Sequence, residues 1–132
     1  MLIEEETTMM INNKGMKKKS FSLYYNGGEI WAEHLDSINN LEDMRTKFDQ
    51  DLIQMARPST STFIAINMDE SVVNEDFLQY LLVSLSNCGK SFQKIVFVGL
   101  NRRLKRYIKN QTLLTTVIAC MDDFEKAKEW LV

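Results

Sequence analysis

Three short apolar runs, each followed by a segment with helical spacing, restrict the fold of this chain more than any other feature. They are residues 63–66 (F-I-A-I), 95–98 (I-V-F-V) and 115–119 (T-T-V-I-A). An unbroken run of this length, rich in β-branched and aromatic side chains, reads as a strand covered on both faces in the interior of a sheet. The segments that follow keep their apolar residues on one helical side. Leu78, Leu81, Leu82, Leu85 and Cys88 line the first, Leu104 and Ile108 the second, and Phe124, Ala127, Trp130 and Leu131 the third. Strand alternating with helix predicts a mainly parallel sheet, because right-handed crossovers return each strand to the same sheet.

Ahead of these units lies F-S-L-Y-Y at 21–25, then Asn26-Gly27-Gly28, then a returning strand at 29–35. Asn-Gly between two such runs is a strong hairpin signal. Ile30 and Ala32 are expected on one face of the returning strand, with Trp31 and Glu33 on the other. Leu41, Met44, Phe48, Leu52 and Met55 form one amphipathic stripe, with Glu42, Asp43, Arg45, Lys47 and Asp49 expected on the solvated side. The predicted order is β-β-α-β-α-β-α-β-α. This is an α/β fold in a single domain over 20–132: a mixed, mostly parallel sheet with an N-terminal antiparallel hairpin and four helices. Residues 1–19 form a separate block, acidic then basic, expected to be a flexible or loosely docked tail. Met9, Met10 and Ile11 within it are a candidate edge strand.

Composition excludes several classes. A net charge of −2 gives no electrostatic case for nucleic-acid binding. No apolar run approaches the ~20 residues that cross a bilayer, so no membrane span is expected. The first twenty residues lack the apolar centre of a secretory signal. Two cysteines, Cys88 and Cys120, read as free thiols in a reducing, cytoplasmic compartment. The single histidine, His34, argues against a Cys/His metal cluster. Glu33 and His34 are adjacent on a strand, so they point to opposite faces and make a poor acid–base pair. With no paired nucleophile and base and no glycine-rich phosphate loop, the chain reads as a binding module and not an enzyme. No metal or cofactor is expected.

Three segments carry a family resemblance: F-I-A-I-N-M-D-E-S-V-V-N-E-D-F-L in the middle, K-I-V-F-V-G-L-N-R-R-L-K-R-Y-I after it, and D-D-F-E-K-A-K-E-W-L at the end. Over residues 21–132 the chain resembles a STAS domain, the fold of bacterial anti-sigma-factor antagonists and of the cytoplasmic tails of sulphate transporters. The resemblance implies a bacterial regulatory protein that docks to an anti-sigma factor or another signalling protein. In that family a motif close to Asp-Ser-Ser-Gly opens the helix after the central strand, and a partner kinase phosphorylates one of its serines. Here the motif falls on Asn74, Glu75, Asp76 and Phe77, with neither serine nor glycine. Asp76 stands at the phosphosite, and Ser71 is the nearest hydroxyl.

Two accounts fit this acidic helix start. Asn74 is a good N-cap, and carboxylates in the first turn favour the positive end of the helix dipole. Alternatively, Asp76 holds a permanent charge where relatives carry phosphoserine, imitating a phosphate only in part. The docking surface expected on the second account is Asp69, Glu70, Ser71, Asn74, Glu75, Asp76 and Phe77. Phe77 either fills a packing gap or protrudes as an apolar contact. A small-ligand or nucleotide-binding STAS-like domain is the rival reading, using the same loop with Arg102 and Arg103. Arg102, Arg103, Lys105, Arg106 and Lys109, with Tyr107, form a basic cluster fit for phosphate or an acidic partner, or simply a solvated face. Trp31, Tyr24 and Tyr25 are either interface aromatics or core, and pairing of the hairpin edge with a second copy would give a homodimer.

Overall fold

A computed structural model describes residues 18–111 and 116–132. Within them, β1 (Phe21–Tyr25) and β2 (Gly28–His34) form the hairpin. There follow α1 (Leu41–Met55), β3 (Phe63–Asn67), α2 (Glu75–Ser86), β4 (Lys94–Val98), α3 (Arg102–Lys109), β5 (Val117–Met121) and α4 (Phe124–Leu131). The strands lie in the order β1-β2-β3-β4-β5. β1 and β2 pair antiparallel and the other neighbours pair parallel. This is the α/β architecture expected, with its hairpin and four helices.

The hairpin turns at Asn26 and Gly27, both at positive φ, as a two-residue turn between twisted strands requires. Each helix opens on an extended residue whose side chain accepts a backbone N–H. Asn40 serves α1, Asn74 α2, Asn101 α3 and Asp123 α4. The chain thus states four of its helix starts locally.

Strand parity then assigns the faces. Trp31, Ile64, Ile66, Ile95 and Phe97 point to one side and join Met44, Phe48, Leu78, Leu81, Leu85, Leu104 and Ile108 in the larger core. Ile30, Ala65, Val96 and Val98 point to the other and meet Ala127 and Leu131 of α4. So α1, α2 and α3 cover one face and α4 covers the opposite one. The β2-to-β5 crossovers all step in one direction, so the parallel strands never reverse order. The crevice that doubly wound sheets open at such a reversal is therefore not formed here.

Several side chains differ from expectation. Among the described strands β5 lies at the edge of the sheet, not in its interior; Val117 is 53% exposed and the rest are half-buried. Its expected start at Thr115 lies outside the described residues, as do Met9, Met10 and Ile11. Lys47 is buried, not solvated: its ammonium donates to Ser20 Oγ at 2.8 Å and to Asp51 at 2.7 Å. Trp31 belongs to the core, and its Nε1 donates to the buried Glu33 at 2.9 Å. Tyr24 is exposed. Gly89, whose place after the apolar stripe of α2 suggests its C-cap, instead lies beyond the actual cap, Asn87, and shapes the following turn at positive φ.

Candidate functional site

The loop from β3 to α2 stands at the carboxyl rim of the sheet, and the backbone fixes it before any side chain contributes. Met68 N–H bonds to Val98 O at 2.8 Å, Ser37 N–H to Asp69 O at 2.8 Å and Val72 N–H to Ile38 O at 3.0 Å. Asn67 turns back to accept the Asp69 N–H at 3.0 Å. Gly99, at the end of β4, has φ +91, and a Cβ there would lie 2.7 Å from Asp69 N and 2.8 Å from its Cα. Only glycine permits that conformation and that approach. Glu70 itself sits at φ 55, an uncommon conformation for a residue with a side chain.

So held, the loop alternates. Glu70, Val72, Asn74 and Asp76 are exposed, while Asp69, Ser71, Val73 and Glu75 are half-buried. The expected surface residues therefore separate into two groups. Glu70, Asn74 and Asp76 face water, joined by Val72, an apolar residue outside the expected set. Phe77 is only 5% exposed and packs in the larger core, so the packing alternative holds for it. Ser71 donates its hydroxyl to Met68 O at 2.8 Å, which commits the nearest serine to the loop's own backbone. Asn74 Oδ1 accepts the Phe77 N–H at 2.8 Å and caps α2.

A cleft of about 360 Å³ lies beside this loop, between the starts of α2 and α3. It is lined by Val73, Asn74, Glu75, Asp76, Asn101, Arg103 and Leu104. Arg103 Nε donates to Glu75 across it at 3.3 Å, an exposed pair of modest strength. Arg103 is thus brought to the loop, whereas Arg102, Lys105, Arg106 and Lys109 line a separate crevice against β5. Tyr107 is partly buried against the core.

On the other side of the loop the field is negative. Burial first, then the charges of Asp36, Glu70 and Asp122, pushes the Asp69 carboxyl above its ordinary range. Burial also opposes ionisation of Asp36, but hydrogen bonds from Lys18 and His34 overcome it and hold that carboxyl below the usual value. Lys18 Nζ lies 2.8 Å from Asp36 and His34 Nδ1 lies 3.0 Å from it. His34 also stacks on Phe21 and meets Phe124 edge-on, so it ties the hairpin to α4 beside the rim. Among the described residues, no group of three or more acidic, histidine or cysteine side chains is close enough to hold a metal ion, so Asp69, Glu70 and Asp76 do not converge. No described helix is long and apolar enough to cross a membrane. The pinned backbone at Gly99 and the Asp36 network left no short motif to find; each arises from strands brought together by the fold. Comparison with family models, curated proteins and solved structures finds no match.

Proposed function

We propose that this chain is a non-enzymatic regulatory module of the STAS type, resembling an anti-sigma-factor antagonist, that docks to a signalling protein through the β3–α2 loop. Asp76 carries there the charge that a phosphoserine supplies in such antagonists. The observation that carries the reading is the alternation along a backbone-locked loop, which holds Glu70, Val72, Asn74 and Asp76 outward together. An apolar residue flanked by charges on a preformed surface suits a protein partner, because little ordering cost remains on binding. A bacterial cytoplasm is the setting this reading implies, with an anti-sigma factor or a similar sensor as partner.

Asp76→Ser tests it, with Glu75→Ser made alongside to cover the neighbouring register. Phosphorylation of the new serine is expected to change partner affinity, since it adds a charge of −1.5 to −2 where the wild type holds −1. Affinity that is identical for wild type, unmodified variant and phosphorylated variant would reduce Asp76 to a helix-start charge. The small-ligand reading rests on the cleft beside Arg103, whose volume lies within the range of ligand sites. Glu75 and Asp76 in its wall disfavour an anionic ligand such as a nucleotide.

A further inference from the structure

The second crevice lies at the opposite edge of the sheet from the hairpin. Its volume is about 550 Å³, and its walls come from α3 and β5. On α3, Arg102, Lys105, Arg106 and Lys109 follow one another at spacings of three, one and three, so they share one helix side. The stripe runs about 10 Å along the strand at the helical rise of about 1.5 Å per residue. Leu104 and Ile108, on the adjoining side, anchor the helix in the core. Lys105 is paired with Asp122 at 2.6 Å. Among the described residues, no carboxylate pairs with Arg102, Arg106 or Lys109.

The strand side of the crevice is more telling. Ile118 and Cys120 point to the α3 face of the sheet, and Ala119 points to the α4 face. All three nevertheless line the crevice. Consecutive residues of opposite parity share one cavity only where their backbone faces it. The crevice therefore runs along the outer edge of β5, which among the described strands pairs with β4 alone. That edge, V-I-A-C-M, has no charged residue and no proline of its own. Sheet edges are commonly guarded by such residues. Here the charge sits on the neighbouring helix instead.

We propose that the outer edge of β5 accepts an extended segment of a partner protein as a sixth strand, with acidic side chains alternating with apolar ones. Main-chain bonds to β5 supply the pairing. Side chains two residues apart, about 7 Å, project to the same face, so alternate carboxylates lie beneath Arg102, Arg106 and Lys109. The intervening apolar side chains project to the α4 face, beside Ala119, Met121 and Phe124 of the second core. This surface is separate from the β3–α2 loop and does not depend on it.

The full chain, labelled for NMR, is titrated with a capped hexapeptide of alternating glutamate and valine. Binding is expected to shift the amides of Val117–Met121 and slow their hydrogen exchange. The affinity is expected to fall as salt rises. Arg106→Glu with Lys109→Glu, both exposed, is expected to weaken binding at least tenfold with the sheet intact. A lysine–valine peptide, and the glutamate–valine peptide N-methylated in the one alternate register whose N–H groups face β5, are expected to bind at least tenfold more weakly, while methylation of the other register leaves binding nearly unchanged. Equal binding of both N-methylated registers would overturn strand addition, as would full competition by inorganic pyrophosphate, which marks a simple anion site. Absence of any β5 shift at millimolar peptide would leave the cations as guards of the edge and overturn the proposal outright.

Discussion

The starts of α2 and α3 lie side by side, use the same cap and carry opposite charge. Asn74 and Asn101 each accept the N–H three residues on, at 2.8 and 2.9 Å. Glu75 and Asp76 follow the first, and Arg102 and Arg103 follow the second. Helix dipoles favour the carboxylates and disfavour the guanidiniums, by roughly 0.3–1 kcal/mol per charge. Stability therefore explains the acidic start and works against the basic one. A cation at a helix N-terminus has to be accounted for by what it meets: Glu75 for Arg103, and the β5 crevice for Arg102. Charge at the acidic start says less by itself, and the case for its role rests on the loop's exposed alternation.

The strongest way to disturb both starts is at their shared pivot. Gly99→Ala forces a side chain into φ +91 and against the Asp69 backbone. It is expected to cost about 3 kcal/mol in urea unfolding, combining strain with overpacking. A loss below about 1 kcal/mol would mean the loop is not pinned there.

Both helix starts keep their charges near water, and Glu33 is the contrast. It has no exposed surface, and its Oε2 lacks a hydrogen-bond partner among the described residues. Burial first and Asp51 second raise its carboxyl well above the ordinary 4.5. Between pH 4.5 and that raised value the folded protein holds a proton that the unfolded chain releases. Its contribution is fully present below pH 4.5 and fades as pH rises through the folded value. Glu33→Gln keeps a donor at all pH values and is expected to gain about 1–2 kcal/mol at pH 8, with little change at pH 4. An equal effect at both pH values would contradict the retained proton.

Removing the caps separates geometry from charge. Asn74→Ala and Asn101→Ala are each expected to cost about 1 kcal/mol, since the capping bonds match. The smallest effects decide the charge question itself. Arg102→Glu is expected to stabilise the fold by about 0.3–1 kcal/mol, and Asp76→Lys to destabilise it by a similar amount. Destabilisation by Arg102→Glu would give that cation a structural purpose and weaken its assignment to the crevice.

What was legible in the sequence was local or periodic. The four caps, the Asn-Gly turn and the alternation of apolar runs with helical stripes set the α/β fold, because each needs only near neighbours in the chain. Burial of single polar or aromatic residues was not legible in that way. Lys47 lies on the charged side of its stripe but finds Ser20 and Asp51 beneath the hairpin. Trp31 on an edge hairpin reads equally as an interface aromatic or as core, and only its packing with Met44 and Phe48 of α1 in the larger core decides it. β5 reads as an interior strand because α3 and α4 half-cover it from both faces, and an apolar run cannot report that no described strand pairs along its outer side. At the loop, the sequence indicated Asp69, Glu70, Asn74 and Asp76 by composition. It did not separate the exposed Asp76 from the buried Phe77, or show that Ser71 is engaged by Met68 O.

Recognition of a partner through the β3–α2 loop is the claim on which the proposed function depends. The direct measurement is capture from lysate of the native host on immobilised wild type, on Glu70→Lys with Asp76→Lys, and on Arg57→Glu, an exposed charge reversal beyond the far end of α1. A single protein retained by wild type and Arg57→Glu, and lost with the loop variant while its circular dichroism is unchanged, is the predicted result. A partner held equally by all three, or none held by any, would contradict it.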